Sequence, residues 1–461
     1  MARPAATRCT IGSALAVTLL AWLLVLQLLL LAPAPAAARR ATTVNQAPNS
    51  LSTKPPRSST NALVKRARRR NRNTDQLGSA AADDAGYIVL YNVSIGATQN
   101  DVSGVVDLLN DFVWTTQCVA APVRVPCASQ TCRSLLANDT TDACGGNPPN
   151  GDDSCRYVYV YGPGINTTGF VANESVAVAV GDIAGSAVLG CSAANSTVPL
   201  EGEPGSFGFN RGPLSFVSQL SVNKFSYYLA ADEAGSSDSE SVVLLGDAAV
   251  PQTNRGGRST PLLRGTAFPD VYYVNLTSIQ VDGQALSGIP AGAFDLAADG
   301  SSGGVVMSTL TSVTRLQEDA YKAVRQAVAS KITAQEVSGS AFAGGIFDLC
   351  YNAQAVAALT FPKLTLVFDG GEAPATLELT TVHYFFKDDV TGLQCLTMLP
   401  TPVGTPFGSV LGTMVQAGTN MIYDVGGETL TLEEGAAAPA PSQVVSLMAI
   451  ASLLLAWVLL F

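Results

Sequence analysis

From residue 87 onward the chain alternates short apolar runs with turn residues. The segments 87–95, 156–161, 175–180, 242–245, 272–281, 364–368 and 376–379 are rich in Val, Ile, Leu, Tyr and Thr. Gly, Pro, Asn and Asp punctuate them at short intervals, which predicts short strands and an all-β body. The segment around His383, Thr-Val-His-Tyr-Phe-Phe, reads as one more strand. Two segments depart from this rhythm. Over 317–337, Ala320, Val324, Ala327 and Ile332 recur near one helical face, which predicts a helix, and 214–220 predicts a shorter one.

Two longer apolar runs stand outside the body. The run 14–31 follows Arg3 and Arg8 and precedes Ala-Pro-Ala-Pro-Ala-Ala-Ala. It reads as a signal peptide over 1–38, cleaved near Ala38, with a retained N-terminal anchor as the alternative. The run 444–461 follows small residues and a short spacer. That order predicts a lipid-anchor (GPI) signal over 435–461, with Gly435, Ala436 and Ala437 as attachment candidates. A plain C-terminal membrane helix is the alternative. Both readings place the body in the secretory pathway and on the extracellular face of the plasma membrane. Between signal and body, 39–86 lacks a hydrophobic period and holds the basic run Lys65-Arg66-Ala67-Arg68-Arg69-Arg70. It is expected to be disordered, as a propeptide with a processing site or as a flexible basic linker.

Length and charge narrow the picture. The 461 residues suit two domain-sized lobes, 87–255 and 256–434, in a monomer. A weak echo between Gly104-Val105-Val106-Asp107 and Gly304-Val305-Val306-Met307-Ser308 suggests that the lobes are related. Twelve of the 26 basic residues lie at or before Arg72; from Asp83 onward 14 face 35 acidic ones, a net of −21. Such an acidic body excludes nucleic acid as a partner. The chain has one histidine, His383, which removes His-rich metal sites and leaves little for Ser-His or Cys-His chemistry.

The cysteines and sequons agree with export. Cys9 leaves with the signal, and the eight that remain imply disulfides. Cys350 and Cys395 stand alone in the second half and form its natural bridge; the first-half connectivity stays open. The spacings of Cys127 with Cys132 and of Cys144 with Cys155 could suggest zinc, but no histidine stands near. No metal or cofactor is implied. Asn92, Asn138, Asn166, Asn173, Asn195 and Asn275 each begin an Asn-x-Ser/Thr glycosylation sequon.

Several ordered motifs add to this reading. Val102-Ser-Gly-Val-Val-Asp107 precedes Asp111-Phe-Val-Trp114-Thr-Thr-Gln-Cys118. Then come Cys155-Arg-Tyr-Val-Tyr-Val-Tyr161-Gly, Phe207-Gly-Phe-Asn-Arg211-Gly-Pro-Leu-Ser215, Gly408-Ser-Val-Leu-Gly412 and Ile422-Tyr423-Asp424. In order and spacing, over about 87–434, the chain resembles the pepsin-like aspartic peptidases. It is similar in particular to their plant nepenthesin-type and xylanase-inhibitor-like branch. The resemblance implies a bilobal acid-protease fold with a cleft between lobes and a flap closing over it, with Tyr161 as the flap tyrosine.

The family motif, Asp-Thr/Ser-Gly-Ser/Thr in each lobe, puts two aspartates around one water, one acting as base and the other as acid. Here the first motif reads Asp107-Leu108-Leu109-Asn110 and the second Ser308-Thr309-Leu310-Thr311. Asp107 keeps the first dyad position. Ser308 stands at the second, where a hydroxyl cannot ionise in the working range. Leu replaces both glycines. The expectation is an inactive peptidase scaffold whose interlobe cleft binds a protein or peptide. The alternatives are an active endopeptidase with an atypical dyad and a structural surface glycoprotein.

Overall fold

A computed structural model describes residues 51–52, 89–96, 100–136, 153–178 apart from 163, 183–193, 198, 200, 203–229, 242–251, 257–337, 346–388 and 391–435. The segment 1–38, most of 39–86, Asn138, Cys144, Asn195, Ala436, Ala437 and the C-terminal apolar run lie outside these residues. The described residues belong to one compact unit.

The first half builds a seven-stranded sheet. Its members run from Val89–Ile95 and Asn100–Asp107 through the long hairpin Ile165–Val178/Ile183–Ser192 to Gly205–Gly208. The second half contributes a four-stranded and a three-stranded sheet. An eleven-stranded sheet joins the halves, because Lys224–Tyr228 pairs antiparallel with Thr419–Asp424. Burial follows the pattern of each strand. Ala375–Leu379 alternates between core and solvent, whereas every residue of Leu364–Phe368 is buried, as expected of a strand covered on both faces.

The main helix is Glu318–Lys331. The Gln317 side chain accepts from the amides of Asp319 and Ala320, and Ala320, Tyr321, Val324 and Val328 face the core. It stops short of 337 because Ile332 turns extended and Val337 donates its N–H to Cys350, carrying the chain into the three-stranded sheet. The predicted strand 272–281 is broken at Asn275. Tyr273–Val274 joins the large sheet and Leu276–Val281 the four-stranded one, with a bulge at Thr277. His383 lies in a helical turn, Thr381–Tyr384, and not in a strand. Its Nδ1 accepts from the Thr380 amide and its Nε2 faces the Ala417 carbonyl at 3.1 Å, so a capping box outweighs the β-rich local sequence.

Three disulfides are described: Cys118–Cys191, Cys132–Cys155 and Cys350–Cys395. Cys127 is disulfide-bonded as well. The first two fix part of the connectivity that spacing left open, and they take Cys132 and Cys155 into bridges.

Candidate functional site

Strand register defines the site. Asn100–Asp107 runs parallel to Gly205–Gly208, with Val105, Val106 and Asp107 opposite Ser206, Phe207 and Gly208. In the second half, Gly303–Met307 runs parallel to Phe407–Leu411, with Val306 and Met307 opposite Val410 and Leu411. The Ser308 N–H continues that ladder onto the Leu411 carbonyl at 2.9 Å. A third strand crosses each pair antiparallel: Trp114 faces Ser206, and Arg315 faces Val410. Each crossing residue stands the same distance along the chain from Asp107 or Ser308. The two therefore occupy one position in two copies of a motif. Gly208 and Gly412 are also counterparts. A Cβ on either would meet backbone at 2.3 or 2.5 Å, from Asp111 and Ser312 respectively.

Asp107 is fully buried. Its Oδ1 accepts from the Leu109 amide at 2.9 Å and its Oδ2 from the Asn110 side-chain amide at 2.6 Å. Burial pushes its pKa up, these hydrogen bonds hold it down in part, and the charge of Asp111 raises it further. Ser308, equally buried, repeats half of the arrangement: its hydroxyl accepts from the Leu310 amide at 3.2 Å. The hydroxyl thus fills an acceptor role that a carboxylate plays in the first lobe, without its charge or second oxygen.

The loops clasp across the lobes on one side. Thr309 Oγ1 donates to the Val106 carbonyl at 2.7 Å and accepts from the Leu108 amide at 3.3 Å. Leu108, the counterpart of Thr309, has no hydroxyl to return the contact and is buried in the main core. The remaining leucines also cross over. Leu109 packs against a second-lobe cluster that includes Val271, Tyr273, Val306 and Val410. Leu310 packs against a first-lobe cluster that includes Phe112, Trp114 and Tyr157. Two apolar side chains thus stand where the resembled motif has glycine.

The segment expected to be the flap forms the hairpin Arg156–Gly162/Ile165–Val178. Its tyrosines alternate inward, with Val158 and Val160 exposed between them. The Trp114 indole donates to the Tyr161 hydroxyl at 2.8 Å. Burial pushes the Tyr161 hydroxyl pKa up, and the nearby Asp107 adds to the shift. The Tyr159 hydroxyl donates to Asn110 Oδ1, so a chain of two hydrogen bonds links the flap to Asp107.

Among the sequons, Asn173 is exposed and Asn166 and Asn275 are half-buried. Gly435 is exposed, with φ +80°. Among the described residues no group of three His, Cys, Asp or Glu could hold a metal, and no helix is long and apolar enough to cross a membrane.

Sequence reasoning missed three residues of this site. Gln416 Nε2 donates to the carbonyls of Ser308, Leu411 and Gly412, while its Oε1 accepts from Tyr227 at 2.5 Å. Asn110 and Thr309 gain their roles only from contacts outside their own motif. The departure from Asp-Thr-Gly-Ser was visible at Asn110, but its amide contact was not.

Residues 87–247 match the xylanase inhibitor N-terminal family and residues 271–434 the xylanase inhibitor C-terminal family. Aspartic proteinase nepenthesin-1 of Nepenthes gracilis is 32% identical over 374 residues, covering 77% of this chain and 78% of that protein. Nepenthesin-2 of the same plant is 31% identical, covering 78% and 82%. Aspartyl protease family protein 2 of Arabidopsis thaliana is 31% identical, covering 75% and 70%. Among solved structures, basic 7S globulin from soybean superposes with a TM-score of 0.59 at 16% identity, covering 86% of this chain and 98% of that one.

Proposed function

We propose that this chain, which belongs to the pepsin-like aspartic peptidase family in its plant, xylanase-inhibitor-like branch, is a proteolytically inactive, secreted and membrane-anchored member whose cleft binds a protein or peptide. The carrying observation is the register that sets Ser308 at the counterpart of Asp107. Dyad hydrolysis needs one carboxylate to take a proton from water while the other gives one to the substrate. With a single carboxylate, one of these transfers has no partner. The leucines support the same reading, since Leu109 and Leu310 stand where the family motif has glycine and pack into apolar clusters.

Binding is supported by what remains. Trp114 holds the Tyr161 hydroxyl of the hairpin read as the flap, and the bilobal family fold is one whose cleft suits an extended chain. The disulfides and sequons favour passage through an oxidising compartment, and the C-terminal apolar run favours a membrane anchor.

The test is retention of peptides. Protein purified from a secreting host is immobilised and offered a peptide library. The reading expects saturable capture of intact peptides, weakened about tenfold or more by Tyr161→Ala. No saturable capture would leave the structural-glycoprotein alternative. The retained Asp107 favours the active-peptidase alternative, and cleaved peptides lost on Asp107→Ala would establish it.

A further inference from the structure

The second lobe carries a cavity of about 410 Å³ away from the Asp107 loops, between the strand Leu276–Val281 and the loop that follows it. Its apolar lining comes from Leu286 and Ile289, half-buried against the core, and from the exposed Pro290. Its polar edge includes Asn275, Ser278 and the exposed Asp295. Asn275 opens the sequon Asn275-Leu276-Thr277 and stands at the break where the chain passes from one sheet to another.

We infer that an N-linked glycan on Asn275 seats its first N-acetylglucosamine units in this cavity and so covers the apolar loop 286–290. The inference rests on the proposed passage through the secretory pathway. Three features favour this occupant. It is attached at the rim, so it binds at high effective concentration and needs little intrinsic affinity. An N-acetylhexosamine offers a C–H face and an acetyl methyl to Leu286, Ile289 and Pro290, and hydroxyls to Asp295 and Ser278. The size of the cavity suits a small saccharide. Attachment is also compatible with the local hydrogen bonding. Asn275 Nδ2 donates one proton to Asp369 Oδ2 at 3.3 Å, and the transfer consumes only the other. The donor is a lipid-diphosphate-linked oligosaccharide: its C1–O bond breaks, a C1–Nδ2 bond forms, the amide loses one proton and the lipid diphosphate leaves.

Asn173 serves as the internal reference, because it is exposed on the first-lobe strand Ile165–Val178 and lines no part of this cavity. The full chain is expressed in plant cells, and occupancy at both sites is read by glycopeptide mass spectrometry. The folded protein is then treated with a peptide-N-glycanase over time. The expected result is occupancy at both sites, with release from Asn275 about tenfold slower than from Asn173. Ile289→Asp brings the Asn275 rate to that of Asn173 and leaves Asn173 unchanged. If that variant fails to fold, the exposed Pro290→Asp makes the same comparison. Occupancy at Asn173 but not Asn275, or equal release from both, overturns the seated glycan and leaves the secretion reading intact. A chain bare at both sites overturns both.

Discussion

Five positions depart from the family motif: Leu108, Leu109, Asn110, Ser308 and Leu310. The serine keeps the backbone contact of the missing acid and loses the charge. Leu109 and Leu310 each pack against a cluster of the other lobe, and Leu108 is buried in the main core. What survives of the cross-lobe clasp rests on Thr309. Thr309→Val would leave the Val106 carbonyl and the Leu108 amide buried without their partner, at a cost of about 1–3 kcal/mol. Urea denaturation of variant and wild type reads this loss; an unchanged midpoint would show that the clasp is dispensable. The equivalence of residues 107 and 308 was legible in the sequence because a strand and its following loop fix register over a few residues. Gln416 was not, because its meaning lies in carbonyls up to 108 residues away.

Among the elements, the strands of the second half were the more readable. Leu364–Phe368 and Ala375–Leu379 emerge almost as their side-chain pattern predicts, the first as a continuous apolar run covered on both faces and the second as an alternation with one buried face. The break at Asn275 was not readable, because a change of sheet leaves the apolar run continuous. His383 shows the opposite failure. A β-branched and aromatic stretch yields to one cap formed with Thr380. The Cys350–Cys395 bridge links the strands Cys350–Asn352 and Leu393–Leu396 across a separation of 45 residues. Loop closure of that length corresponds to about 4 kcal/mol in the chain-entropy account. The double variant Cys350→Ser/Cys395→Ser should lose most of that by urea denaturation. A loss below about 1 kcal/mol would show that strand pairing alone holds this sheet.

At the scale of the whole molecule, the lobes are fastened by more than the shared sheet. The Arg211 guanidinium lies 4.6 Å from the Tyr272 ring and donates to the Val271 carbonyl at 2.8 Å. The Tyr272 hydroxyl donates back to the Phe209 carbonyl at 2.9 Å. The same junction holds two acids, Asp107 and Asp111, whose pKa values are raised chiefly by burial, with Asp270 adding to the shift of Asp111. A carboxyl with a raised folded-state pKa binds its proton more tightly when folded. Its contribution to stability is full below the unfolded value near 3.8, falls as pH rises towards the raised value, and is flat above it. Exposed acids such as Glu428 act in the opposite sense, so the contribution is read by difference. Relative to wild type, Asp107→Asn should be least favourable at low pH and gain as pH rises towards neutrality. A difference independent of pH would mean that burial does not raise the Asp107 pKa.

Hydrolysis itself bears most directly on the claim that the second lobe brings no acid to the cleft. Wild-type protein and Asp107→Ala are incubated with a denatured protein substrate at about pH 4, where a working dyad carries one proton. The account predicts the same background cleavage from both. Turnover by the wild type that vanishes in Asp107→Ala, and that a statine-type inhibitor blocks, would contradict it.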